Sequence, residues 1–499
     1  VALEWVAVVL GLGLTLLGVG LGMWGSKKLL ADGSSWLLPV AALMLASLHP
    51  MWNFATTGLE TGLTFAWLGA AWLSLVLWAV REPNSRIPAW TLVLLGLGPL
   101  VRPELVVSSA AFLVLLFLAS WRGESWRGRA RIALWGLALP VFYQVFRMGY
   151  FGELVANTAI AKEGTKPRPE WGVKYLLDFV EPYALWLPVL LIVFGVYAPA
   201  MLTFAARAMP DGRRRALVLG VFVGAGAVNG ALVVLMGGDY LHARLLLPAL
   251  FAIVIPAAVV PIERRYALGL LTVVWSVFAL FVARPPATIF PFDTVSGNGT
   301  VTAEQFGFYD GSPNTAWLGE GLYMRSTFAY PTRELAAEPA EGVRLPTLVQ
   351  GAMGLEGFFF GPDLTLFDLN GLATPLASHM ELTRRGHPGH EKSLPTPWVA
   401  AAVTADGTPA EVFDEIQAER AAASAFYGPL IPVTTGEELD QEIAWARAAL
   451  KCEPLADFVA ATRRPLSAHT AWSNVTGAFE RTRMRIPADP QAAYEKFCT

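Results

Sequence analysis

The sequence predicts a polytopic α-helical membrane domain followed by an outer α/β domain, on three observations. Hydrophobic residues make up 54% of the 499 and charged residues only 15%, with a mean hydropathy of +0.47, which an ordinary soluble globule does not carry. Apolar runs recur from Leu3 to Val282 and then stop. The charge divides at the same place: residues 1–285 carry a net +8 and residues 286–499 a net −11. The chain therefore reads as two domains in two physical environments, 1–285 and 286–499.

Ten runs qualify as spans: 4–24, 34–49, 61–80, 88–101, 104–120, 132–147, 184–205, 216–236, 245–262 and 266–283. Runs 34–49 and 88–101 fall short of the ~20 residues that a perpendicular helix needs. Such helices can stop below the far surface only where protein or water satisfies their ends. Every second connection is short and basic, holding Lys27, Lys28, Arg81, Arg86, Arg122, Arg127, Arg129, Arg131, Arg207, Arg213, Arg214, Arg215, Arg264 and Arg265. The positive-inside rule puts these loops in the cytoplasm. The long connection 148–183, Val1 and the acidic tail then lie outside, and Trp171, Tyr175, Leu176 and Phe179 suit a helix lying in the membrane interface.

The acidic tail mixes strand-like runs such as 357–360 with helical stretches such as 409–423 and 437–450, an α/β pattern. Its two cysteines, Cys452 and Cys498, form no metal-ligand spacing. In an oxidising compartment they read as one disulfide. With no basic stripe to neutralise phosphates, nucleic acid is excluded as a partner.

With this sidedness, the polar clusters that interrupt the apolar pattern all face outward. GGDYLHAR (237–244) is the sharpest. Its glycines permit a tight turn at a helix end, and Asp239, Tyr240, His242 and Arg244 follow at once. Asp can hold a cation or take a proton, His can donate to a leaving oxygen, and Arg can grip phosphate with a planar fork of donors. The competing reading is an interfacial turn with a snorkelling Arg. VRPE (101–104) sets Arg102 and Glu104 around a helix-ending proline, as an internal ion pair or a phosphate or sugar contact. His49, Trp52, Asn53 and Glu60 in HPMWNFATTGLE (49–60) offer a stacking surface and hydrogen-bonding groups, or a belt aromatic beside a capped helix. Lys162, among Glu163, Lys166 and Arg168, reads first as solvated surface. In the tail, Asp368, His379, His387 and His390 could make a metal site, although histidines clustered at a domain seam are the preferred reading. No GxGxxG, Walker, HExxH or GxSxG pattern is present.

Taken in order, TGLETGL (57–63), RPE (102–104), NTAIAK (157–162), GGDYLHARLLLP (237–248), DLNGLATPLASH (368–379) and GHPGHEKSLP (386–395) resemble the GT-C polyprenyl-phosphate-sugar glycosyltransferases. Within them, the chain is most similar to the arabinofuranosyltransferase B group of the actinobacterial cell wall. The resemblance spans about residues 45–395, and the order of the motifs, more than any one of them, carries it. It implies transfer of arabinofuranose from decaprenyl-phosphoryl-arabinose to arabinan ends through terminal β-1,2 linkages, at the outer face of the cytoplasmic membrane. The implied partners are the polyprenyl-phosphate-sugar donor, the arabinan acceptor and the bilayer, with the protein acting as a monomer. No cofactor is required, although a divalent cation could bridge the phosphate and Asp239.

Such enzymes carry an acidic residue on the first outer loop, and nothing before His49 matches it. Val1 is not a methionine and lies outside, so the expectation is that a first span and the main acid precede it. Asp239 and Glu60 are then the supporting acids, while His242 and Arg244 hold the donor phosphate. The rival readings are a mannosyl- or aminoarabinose-type transferase using another polyprenyl sugar, and a carrier or channel. The last is disfavoured by the absence of an evident inverted repeat and of charge deep within any predicted span.

Overall fold

The computed structural model describes residues 3–283 except 32, 34, 35, 83–85, 120–125, 165, 207–209, 240 and 263–265. Beyond these it describes 347–350, 365–381, 391–405, 408, 413, 417 and 434–499 except 462. Tyr240, His387, His390 and the stretches 357–360 and 409–423, but for 413 and 417, lie outside the described residues. Contacts divide the chain into two compact units. One is built mainly from Val1–Phe142 and Arg168–Phe290, the other from Tyr143–Pro167 and Glu320–Thr499.

Among the described residues, five helices are long and apolar enough to cross a membrane: Trp5–Leu30, Thr61–Val80, Trp126–Phe151, Trp186–Ala206 and Asp211–Met236. Pro103–Ala119, Leu247–Ala257 and Tyr266–Phe281 are shorter apolar helices. Among the described residues the ten runs do not form ten long helices. Run 34–49 becomes a two-residue strand, Leu37–Leu38, and the short helix Val40–Ala46, because Pro39 begins the helix without an amide hydrogen to donate. Run 88–101 divides into Ala89–Gly96 and Gly98–Val101, with Pro99 in the first turn of the second helix. Leu37–Leu38 pairs antiparallel with Val260–Pro261, satisfying backbone that no helix covers.

Glycine spacing explains the closest helix pair of the first unit. Gly11 and Gly18 on the first helix face Gly62 and Gly69 on Thr61–Val80, each pair seven residues apart. A Cβ on Gly62 would stand 2.4 Å from the Gly11 carbonyl oxygen, and one on Gly69 would stand 2.2 Å from that of Gly18. Small residues let membrane helices approach until backbones touch, the packing that replaces the hydrophobic effect in lipid. Beside this seam a chain of rings fills the core: Trp67 on Phe112, Phe112 on Phe222 at 5.2 Å, and Phe222 on Trp72 at 5.0 Å.

Two long helices place the polar groups at opposite ends. Thr61–Val80 begins beside Glu60 and ends at Arg81, while Pro210–Met236 begins with Arg213, Arg214 and Arg215 and runs into the GGDYLHAR loop. Arg215 donates to the Leu29 carbonyl at 2.9 Å, at the end of the helix that carries Lys27 and Lys28 in its last turn. A cation there also meets the negative end of the helix dipole. The Arg214 guanidinium lies 5.2 Å from the Trp78 ring centre. The basic residues so joined belong to one end of the unit, roughly a 20-residue helix length of 30 Å from Glu60.

The second unit draws the connection 143–167 onto the tail. Asn474 Nδ2 donates to the Gly149 carbonyl at 3.0 Å, the Leu154 amide donates to Thr482 Oγ1 at 2.7 Å, and Lys392 Nζ pairs with Glu163 at 2.9 Å. The connection read from sequence as one outer segment, 148–183, is therefore shared between the units at 167/168. In the tail, Thr347–Gln350 pairs parallel with Thr365–Asp368. The helices Thr396–Val403, Gly436–Leu450, Ala468–Arg483 and Pro490–Cys498 supply most of its remaining described regular structure. Cys452 and Cys498 are joined in a disulfide across 46 positions.

Candidate active site at the end of the helical unit

Glu60 stands where the Thr61–Val80 helix starts, and two arginines from distant parts of the sequence meet it. Arg102 Nη1 lies 3.0 Å from Glu60 Oε1, and Arg244 Nη2 lies 3.3 Å from the same oxygen. Arg102 Nε also pairs with Glu104 at 2.5 Å, and Arg244 Nη1 with Asp239 at 3.4 Å. Three carboxyl groups and two guanidinium groups thus form one continuous network.

The local backbone explains how Arg102 arrives. The Gly98–Val101 helix ends at Pro103, whose ring forbids the preceding residue from staying helical, and Arg102 is extended (φ −151°, ψ 138°). Its side chain is therefore turned from the helix axis toward both glutamates. Arg244 arrives differently. After Met236 the chain passes through Gly237 and Gly238 with φ of 104° and 76°, and through Ala243 at 64°. A Cβ on Gly238 would lie 2.4 Å from the Tyr175 ring, so the loop needs glycine for both its conformation and its packing.

Exposure separates the members by role. Glu60 and Glu104 are 35% and 34% exposed, whereas the Asp239 side chain is 3% exposed. Burial pushes the Glu60 carboxyl up, but Arg102 and Arg244 outweigh it and hold the group below the usual carboxylate range. Two carboxylates open to solvent, backed by guanidinium forks already oriented, can take a hydroxyl proton and steady a departing phosphate.

Other residues singled out by sequence lie elsewhere. His242, two positions from Arg244, is 2% exposed. Its Nδ1 is 2.8 Å from Asp178 and its Nε2 is 3.4 Å from the Tyr183 hydroxyl. Its ring also meets the Phe179 ring edge-on, with 5.9 Å between centroids. Asp178 carries no sequence signal beyond being an acid next to Phe179 in an amphipathic helix that also holds Glu170 and Lys174. Trp52 is half exposed with its indole nitrogen donating to the Ala46 carbonyl, and Asn53 is buried in the same short helix. His49 Nδ1 is buried with no hydrogen-bond partner among the described residues. Lys162 belongs to the second unit, at the end of the Asn157–Ala161 helix.

The interface helix read from Trp171, Tyr175, Leu176 and Phe179 forms as Pro169–Val180, but Tyr175 and Phe179 face protein. Gly172 comes so close to the Val234 carbonyl that no side chain would fit. In the tail, Asp368 accepts from the Asn370 and Ala373 amides, folding the DLNGLA turn, and His379 stands 3.6 Å from Glu153. Among the described residues, no three His, Cys, Asp or Glu side chains are grouped to hold a metal ion.

A polytopic helical membrane protein with an arginine–carboxylate network at one end of its spans is the class that fold and site define. No family model and no solved structure matches the chain. Two curated proteins do, both named terminal beta-(1->2)-arabinofuranosyltransferase. The one from Mycobacterium tuberculosis is 30% identical over 98% of this chain and 84% of its own length. The one from Corynebacterium glutamicum is 29% identical over 99% of this chain and 77% of its own. The chain belongs to the terminal β-(1→2)-arabinofuranosyltransferase family.

Proposed function

We propose that this protein transfers arabinofuranose from decaprenyl-phosphoryl-arabinose to the ends of arabinan, making terminal β-(1→2) linkages in cell-wall arabinogalactan or lipoarabinomannan. The observation that carries the reading is similarity along nearly the whole chain to two proteins bearing that name. The site's chemistry agrees with it. A polyprenyl-phosphoryl donor reaches a membrane enzyme from the bilayer, and its leaving phosphate needs cations at the ends of spans. Arg102 and Arg244 are such cations, held in place by Glu60. Because carboxylates already orient the guanidinium groups, little reorganisation is needed as negative charge develops on the phosphate.

In this reading Arg244 grips the phosphate, and Glu60 and Asp239 hold the arginine forks in place. Glu60 or Glu104 lies open enough to steady the acceptor hydroxyl as its proton leaves. The network sits on the outer face of the cytoplasmic membrane, opposite the basic end, and the second unit is the outer domain that meets glycan. The test is turnover by purified protein in lipid with synthetic polyprenyl-phosphoryl arabinofuranose and a short arabinan acceptor, the new linkage being read by NMR. A terminal β-(1→2) arabinofuranose is the expected product. Transfer from mannosyl or aminoarabinosyl donors alone would overturn the choice of sugar.

A further inference from the structure

The loop that carries Asp239 and Arg244 is not held by its own sequence. It turns through three residues of positive φ, one of them the fully buried Ala243, a conformation that a residue with a Cβ adopts only when its surroundings enforce it. The enforcement comes from the Pro169–Val180 helix and the turn after it. Tyr175 Oη donates to the Leu241 carbonyl and accepts from the Leu245 amide, both at 3.0 Å. Asp178 meets His242 Nδ1 at 2.8 Å, and the Tyr183 hydroxyl meets Nε2. His242 adjoins Ala243, so these contacts fix the backbone immediately before Arg244.

We propose that Asp178 is a positioning residue. Through His242 it holds the loop in the conformation that points Arg244 at Glu60, and Tyr183 supports the other side of the ring. The carboxylate accepts from Nδ1–H, and in the neutral ring Nε2 then accepts from the Tyr183 hydroxyl. A carboxylate–imidazole–phenol series resembles a catalytic relay, but the burial of His242 and Tyr183, at 2% and 0% exposure, gives it the work of a brace. The inference rests on the phosphate-binding role given to Arg244 above.

The test compares Asp178→Ala, Asp178→Asn, Tyr183→Phe, His242→Ala and the Asp178→Ala/His242→Ala double variant in the full-length chain. Readouts are kcat and KM with polyprenyl-phosphoryl arabinofuranose, together with amide hydrogen exchange over 241–246. Asp178→Ala lowers kcat about 10- to 100-fold and leaves the acceptor KM unchanged, as expected for loss of one charge-assisted hydrogen bond. Asp178→Asn keeps most of the rate, since its amide oxygen accepts the same Nδ1–H. Tyr183→Phe, which removes a single oxygen and so preserves folding, costs about 3- to 10-fold. The double variant is no slower than His242→Ala, because both substitutions remove the same support. Exchange over 241–246 speeds up at least about tenfold in Asp178→Ala. A merely structural aspartate would lower the yield or melting temperature but leave kcat per folded molecule normal. Normal kcat, additive losses or unchanged exchange would overturn the proposal. Impaired Arg244→Ala beside normal Asp178→Ala removes the brace alone, whereas normal Arg244→Ala removes the phosphate reading and the brace with it.

Discussion

An ion-pair network in each unit shows two opposite uses of the same groups. At the end of the helical unit, Glu60 accepts from two arginines yet remains a third exposed, so its partners can be exchanged for those of a ligand. In the second unit one such pair is closed. Lys392 is 0% exposed, bound to Glu163 and to the Ser378 carbonyl at 2.5 Å, and Glu163 also pairs with Lys166. Glu153 and His379, equally buried, are not an ion pair at neutral pH. Burial pushes the Glu153 carboxyl up to about 8 and the His379 ring down to about 4, so both are neutral, the carboxylic acid beside the imidazole. The contrast teaches that proximity of opposite charges does not define a site; access does. A buried pair holds backbone in place, whereas a half-open one can act on something that arrives.

The sharpest way to break that comparison is to remove one partner of the closed pair. Lys392→Ala leaves buried Glu163 with only the largely exposed Lys166 as counter-charge and destabilises the second unit by up to about 3–5 kcal/mol, read as a lower melting temperature. Replacing both partners with apolar residues of similar volume recovers much of this loss. Reduction of Cys452–Cys498 comes next. It frees a loop of 46 positions, which costs about 4 kcal/mol on the chain-entropy estimate, and mass spectrometry of alkylated peptides verifies the bond state. Neither change reaches the chemistry of the helical unit directly.

Arg244→Ala is the converse experiment. It lowers sugar transfer roughly 30- to 1000-fold, equivalent to about 2–4 kcal/mol in the transition state, while the melting temperature stays within a few degrees. Arg244→Lys rescues little, because an ammonium keeps the charge without the planar fork. A lysine variant with normal turnover would reduce Arg244 to an interfacial anchor.

The smallest effect is a pH slope. Between 4.5 and 8 the folded protein keeps on Glu153 a proton that the unfolded chain has lost, so stability falls as pH rises. Between 4 and 6.5 the unfolded chain holds a proton on His379 that the fold excludes, so stability rises with pH. The two oppose each other below 6.5, and from 6.5 to 8 the Glu153 contribution acts alone. The second unit therefore loses stability over that window, and Glu153→Gln flattens the slope. A slope unchanged in Glu153→Gln would assign the titration to another group.

Residue patterns made much of the helical unit legible. The spans at 61–80 and 216–236 follow from their length without charge, and the basic ends from the alternation of loops. RPE and GGDYLHAR marked where regular structure breaks, since proline and paired glycines act on the nearest backbone. The sequence also placed Glu60, Arg102, Asp239 and Arg244 among the polar interruptions that topology would gather. It did not separate Arg244 from His242, two residues away. That division depends on Ala243 taking a left-handed conformation, which no local preference favours and only the packing of Tyr175 and Asp178 imposes.

What the sequence by itself determined is what acts locally: hydropathy over a span, charge on a loop, a helix stopped by proline. What only the tertiary structure decided is partnership across hundreds of positions. Glu60 Oε1 receives Arg244 from 184 residues away, and Lys392, ordinary in a polar stretch, is buried against Glu163. A side chain's chemistry depends on solvent access and the charges within a few ångströms. Those are set by which segments fold together, and composition alone contains no term for them.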